Sequence, residues 1–229
     1  MKVSDVFLFL PLFFAVIPGC GDLPNAVHGD IASTTRSDGV YRDDATLALT
    51  NLRIYQARSD TRKCASPMCG GYFLHELNKP KTLCYDGTQK TECYVENLDF
   101  SELDCEDIST PIYSVLLEGI LETVLEVHDI WIPYDDTKPQ GQFYQIINDF
   151  LVCVRAPCFN LSEIKVNTTK QMMLSGLRGN NDRVSSALAR LRHDDIIVSG
   201  YNLTLRAHEH ETEAGKELFI KQFYTRKNF

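Results

Sequence analysis

The sequence predicts a strand-dominated α+β protein made of two similar βββαββ-like halves from an internal duplication, each stapled by disulfides. Three observations predict it. Five residues recur at one fixed offset. Six of the eight cysteines stand in closely spaced pairs. Runs of β-branched and aliphatic residues of strand length dominate the chain, with few stretches of helical period.

The recurrence is specific. Tyr55-Gln56 is followed by Cys64, Cys69 and Asn78; Tyr144-Gln145 is followed by Cys153, Cys158 and Asn167, all displaced by 89 residues. Pro67 and Pro157 lie inside the two C-x4-C segments. Beyond Asn78 the first half carries ten extra residues, the segment Cys84 to Cys93, which contains an Asp86-Gly87 turn. Val115 to Gly119 then aligns with Ile196 to Gly200. Leu125, Val127, Ile130 and Trp131 align with Leu218, Ile220, Phe223 and Tyr224, and the second half has its own polar insert, Ala207 to Lys216.

Each half gives the same order of elements. A strand runs through Tyr55 (Tyr144), and a cysteine-bounded turn leads to a second strand ending at Asn78 (Asn167). A third strand ends near Leu98 (Leu174 to Leu177). A short helix follows: Val184, Leu188 and Leu191 have helical spacing after Asn181, a good N-cap, and Ser101 to Cys105 is the weaker counterpart. Two aliphatic strands close each half. Asn78 and Asn167, at strand ends, suit a side-chain amide that caps a turn or tolerates left-handed backbone. The halves are 48–131 and 142–229, joined by a linker, 132–141, containing Pro133, Asp135, Asp136 and Pro139.

Residues 1–19 read as a signal peptide: Lys2 precedes an apolar run from Val6 to Ile17, too short to span a bilayer and broken by Pro11. Ile17-Pro18-Gly19-Cys20 resembles the lipoprotein box, so Cys20 is the expected lipidation site, although Pro18 is unusual there. Cleavage nearer Ala26 would instead give a secreted protein. Residues 20–47 lack apolar periodicity and read as a flexible tether. No later stretch is apolar and long enough to span a membrane, so the expected membrane partner is reached through the lipid.

Exported cysteines default to disulfides. The simplest pairing is Cys64 with Cys69, Cys153 with Cys158, and Cys84 with Cys93 across the inserted turn. Each short ring is worth roughly 2–3 kcal/mol in the chain-entropy model. Cys105 is left over. Two C-x4-C units could also hold a tetrahedral zinc, but structural zinc favours tighter spacing.

The runs Cys64-Ala65-Ser66-Pro67-Met68-Cys69-Gly70-Gly71-Tyr72-Phe73, Cys84, Asp86-Gly87, Cys93-Tyr94-Val95 and Cys153 to Cys158, with Asn78 and Asn167, resemble an uncharacterised bacterial family of exported proteins and lipoproteins. The resemblance covers about residues 50 to 225. It implies an envelope location and carries no activity.

Candidate chemistry is sparse. His208-Glu209-His210-Glu211 is the best metal-ligand candidate outside the cysteines, through His208 and His210, but a solvated loop explains it equally well. His75-Glu76 reads as a strand position with one exposed face. His128-Asp129 could form a dyad with no nucleophile to serve. Glu102, Asp104, Glu106 and Asp107 lack the spacing of a calcium loop. HExxH, G-x-S-x-G and P-loop patterns are absent. A net charge of -8 gives no basic surface for nucleic acid. The sequence therefore predicts an exported, lipid-anchored envelope protein without a cofactor, a non-enzymatic module binding a protein or glycan partner. The alternatives are a metal-dependent hydrolase using His208 and His210, and a secreted protease inhibitor presenting the cysteine-bounded turns.

Overall fold

A computed structural model describes residues 52–62, 70–103, 110–152, 158–205 and 215–227. The signal and tether segments, Cys20, Cys64, Cys69, Cys105, Cys153, His208 and His210 lie outside the described residues. Among those described, no helix is long and apolar enough to cross a membrane.

The first half contributes β1 (Arg53–Ser59), β2 (Tyr72–Glu76), β3 (Thr82–Leu83), β4 (Gln89–Lys90), β5 (Cys93–Val95), β6 (Leu98–Asp99), β7 (Leu116–Leu121) and β8 (Leu125–Pro133). The second contributes β9 (Gln142–Asn148), β10 (Leu161–Lys165), β11 (Gln171–Leu174), β12 (Gly176–Arg178), α1 (Asn181–Arg190), β13 (Ile196–Thr204) and β14 (Lys216–Arg226). Twelve of these strands form one sheet, in the order β11-β10-β9-β13-β14-β8-β7-β1-β2-β5, with β12 beside β14 and β6 beside β8. All pairings are antiparallel except β6–β8 and β12–β14.

This corrects the expected α+β class. The βββαββ-like halves are not present: the protein is a mostly antiparallel β structure with a single helix of ten residues among those described. Two physical features account for the difference. Asp99 accepts the Ser101 N–H at 3.0 Å and Leu103 N–H closes on Phe100 at 3.0 Å, so residues 101–103, the described part of the expected Ser101 to Cys105 helix, form turns. The end strands β8 and β14 also pair with each other, through Trp131↔Arg226 and Tyr224↔Pro133, which merges both halves into one sheet. The segment after Asn167 holds two strands, β11 and β12, where one was expected.

Pairing registers match between the halves. Tyr55 faces Glu76 as Tyr144 faces Lys165, and Arg53 faces Gly119 as Gln142 faces Gly200. The sheet shifts register at Glu118/Gly119 and again at Ser199/Gly200. Even the central contact is reciprocal: Tyr134 N–H donates to Phe223 and Lys227 N–H to Ile130.

Side chains on the two faces build three cores. Ile54, Leu116, Trp131, Tyr224 and Ile197, with Phe143 against them, come from six strands yet form one cluster, so the sheet is rolled until β1 approaches β9. Asparagines latch that seam. Asn167 Nδ2 donates to Ile54 O at 2.8 Å and Leu77 O at 3.1 Å, while its Oδ1 accepts from Ile54 N at 2.9 Å. Asn78 does the same to Phe143 and Val166, and both asparagines are left-handed, at φ 60° and 58°. On the other face, Tyr55, Leu74, Val127 and neighbours form one core, covered by Phe100, Leu103 and Ile112. Tyr144, Ile146, Phe223 and neighbours form its counterpart, covered by Ala187 of α1 and by Leu191 at its C-cap. The helix cap is Asn180, accepting from Asp182 N and Arg183 N, one residue before the predicted Asn181. Leu188, expected on the buried face, is exposed.

Candidate functional site

Strand alternation puts Arg53, Tyr55 and Ala57 of β1 on one face, and Glu76 directly opposite Tyr55 on β2. Above them sits the hairpin β3–β4, which has no counterpart among the described residues of the second half. Its ends are joined by the Cys84–Cys93 disulfide, and Gly87 takes φ 76° at its turn. Thr82 Oγ1 accepts the Glu76 N–H at 2.8 Å, fixing the hairpin to β2. The β7–β8 turn forms the opposite wall.

The result is a cleft of about 410 Å³, floored by Arg53, Tyr55 and Glu76 and rimmed by Leu83 and Tyr85. That volume falls in the ordinary range of about 300–1,000 Å³ for small-molecule sites. Glu76 is 7% exposed, whereas Leu83 and Tyr85 are 57% and 60% exposed. The Arg53 guanidinium stands 3.8 Å from the Glu76 carboxylate. Burial pushes the Glu76 carboxyl above its ordinary range, against the pull of Lys79, Arg53 and His75. Burial also raises the Tyr55 hydroxyl, with Glu76 adding to it, so the ring carries a neutral phenol. The equivalent floor positions of the second half, Gln142, Tyr144 and Lys165, have no inserted hairpin beside them among the described residues.

A second buried carboxylate lies in the other half. Glu163, 3% exposed, accepts from Asn202 Nδ2 at 2.9 Å through one oxygen; the other has no partner among the described residues. Burial raises its pKa, opposed by the Asn202 bond. Its unfolded pKa is therefore the lower one, so stability is retained below the ordinary glutamate range and lost as pH rises through the folded value. Subtracting a Glu163→Gln profile from the wild-type urea-denaturation profile should leave a stability difference that falls with pH across that window. Parallel profiles would contradict this.

The sequence-predicted residues are scattered. Cys84 and Cys93 form the expected bond. Cys158 is disulfide-bonded to a cysteine outside the described residues. His75 points away from the cleft, its Nδ1 at 3.0 Å from Thr91 O. His128 sits beside Glu126 at 3.4 Å, while Asp129 pairs with Arg226 at 2.8 Å, so the two form no dyad. Of the acidic cluster, only Glu102 is described, and it is exposed. Among the described residues no three His, Cys, Asp or Glu side chains are grouped to hold a metal. The metal pair His208 and His210 lies outside them.

Sequence reading missed Arg53, Tyr55 and Glu76 as a group. The available signal was period-2 alternation: Glu76 shares a face with the apolar Leu74, so it points inward while His75 points out.

Residues 53–228 match a family described as a domain of unknown function (DUF6748). The chain belongs to the DUF6748 family. The matched span takes in the whole DUF6748 sheet, both asparagine latches and the cleft. No curated protein and no solved structure matches the chain.

Proposed function

We propose that this DUF6748 protein is a non-enzymatic binding module of the bacterial envelope, arisen by internal duplication, with its ligand site in the Arg53–Tyr55–Glu76 cleft. The observation that carries the reading is the asymmetry between the halves. Equivalent strands provide matching positions in the second half, and among the described residues the first half alone adds a disulfide-closed hairpin that walls a cavity above them.

The state of the lining groups supports binding over chemistry. Glu76 faces Arg53, and the Cys84 sulfur is consumed in its disulfide. Export and anchoring through Cys20 rest on the signal-like run and the lipoprotein-like box. They agree with a disulfide-bearing fold, since such bonds persist in oxidising compartments.

Calorimetry of the intact protein against neutral and charged oligosaccharides and dipeptides tests the site. One class should bind without turnover, and Arg53→Ala and Tyr85→Ala should each weaken it about tenfold, equal to about 1.4 kcal/mol. Binding by none of them, or binding untouched by both substitutions, would contradict the reading. Anchoring is tested by mass spectrometry of the mature amino terminus. A diacylglyceryl-modified Cys20 is expected; an unmodified terminus beyond Cys20 would remove the anchor.

A further inference from the structure

We propose that the ligand of this cleft is an uncharged saccharide, held edge-on by Arg53 and Glu76 and face-on by Tyr85. The inference rests on the cleft being the binding site and goes on to name what fills it.

Three features of the lining select the class. The floor presents a guanidinium and a carboxylate side by side, 3.8 Å apart, whose charges cancel, while Glu122 on the β7–β8 wall adds a second carboxylate that disfavours anions. A sugar's neighbouring hydroxyls satisfy such a pair at once: one accepts from the guanidinium, and the other donates to the carboxylate. Both bonds involve an ionised protein group, which makes them stronger than neutral ones.

A charged ligand fits less well. An anion taken up by Arg53 would draw the guanidinium from Glu76, whose side chain is only 10% exposed, leaving that buried carboxylate to the more distant influence of Lys79 and His75. It would also approach that carboxylate directly. A cation drawn to Glu76 would meet Arg53 in the same way. Neutral ligands that donate and accept together avoid both costs.

The rim supplies the remaining selectivity. Leu83 and Tyr85 leave apolar surface facing solvent on a hairpin held by Cys84–Cys93. A pyranose has an apolar C–H face and a hydroxyl edge, matching the division between rim and floor. Tyrosine provides this surface at low entropic cost, because its ring has two rotatable bonds. Arg53, Glu76 and the rim thus recognise different sides of one ring.

The test uses intact protein and defined probes: cellotriose, maltotriose and triacetylchitotriose as neutral ligands; trigalacturonate, a glucosamine trimer and glycyl-tyrosine as charged ones. At least one neutral trisaccharide should bind at least about tenfold more tightly than every charged probe. Its affinity should stay level between low and high salt, because no net charge is exchanged. Tyr85→Ala should weaken binding about tenfold and Tyr85→Phe should keep it, since the ring face is what matters. Both changes fall on an exposed side chain, so folding is preserved.

The failures separate. A charged probe that binds best, and loses affinity in Tyr85→Ala and Arg53→Ala, overturns the saccharide assignment while leaving the cleft in place. Silence from every probe, or binding indifferent to both substitutions, overturns the cleft reading and this inference together.

Discussion

Replacing Asn167 by alanine is expected to destabilise the protein by about 3–4 kcal/mol, lowering the thermal midpoint by roughly 10 °C. The side chain makes three hydrogen bonds to the backbone of Ile54 and Leu77, on the far side of the seam. Each is worth about 1 kcal/mol net, and losing one partner leaves the other unsatisfied. Alanine must also adopt φ 58°, which asparagine tolerates better than most residues.

Asn167→Gly separates the causes, because glycine accepts that φ and loses only the bonds. Asn78→Ala should behave alike, through Phe143 and Val166. The double variant should fall short of the sum, since both latches close one seam and share the strands they join. Urea denaturation of the four proteins measures this. Single-variant losses below about 1 kcal/mol would show that the seam is held by its apolar core alone.

The second large effect is expected at the sheet's two register shifts. A Cβ on Gly119 would lie 2.1 Å from Glu126 O, and one on Gly200 would lie 2.1 Å from Phe219 O. Both obstacles are backbone of the paired strand, so neither can rotate aside. Gly119→Ala or Gly200→Ala should each cost about 3 kcal/mol or more, at the upper end for overpacked interiors. Gly176→Ala provides the control. Its Cβ would meet only the Glu217 carboxylate, at 3.9 Å, so its stability should stay within about 0.5 kcal/mol of wild type. Equal stabilities for all three variants would mean that the strands separate more easily at the shifts than their packing implies.

Much of the pattern was legible in the sequence wherever local chemistry determines local shape. Tyr55 and Tyr144 occupy matched positions on paired strands, and Asn78 and Asn167 take left-handed backbone, as expected of amides at strand ends. The Asp86-Gly87 turn and its flanking cysteines gave away the inserted hairpin.

What the sequence concealed was long-range. The β8–β14 contact that turns two halves into one sheet depends on residues such as Trp131 and Arg226, which lie 95 positions apart and carry no local signal. The asparagines were legible as caps, but their reach across the seam was not, because it follows from how the sheet rolls. Helical spacing also misled: Leu188 satisfied the period and yet faces solvent, while Ala187 fills the core. His75-Glu76 reads as a strand position with one exposed face, and it is Glu76 that holds the buried position at the cleft. Alternation with Leu74 marks Glu76 as inward, but nothing local shows that a hairpin would wall a cleft over it.

The most direct test of the account is an amide-resolved NMR titration of the intact protein with the neutral trisaccharide that binds best, using the second half as an internal control. Chemical-shift changes should concentrate at Arg53 to Tyr55, Glu76, Leu83 to Gly87 and Ile120 to Glu122, leaving Gln142 to Tyr144 and Lys165 unmoved. Equal changes in both halves, or changes centred away from the hairpin, would contradict the claim that the inserted hairpin turns one of two matching floors into the binding site.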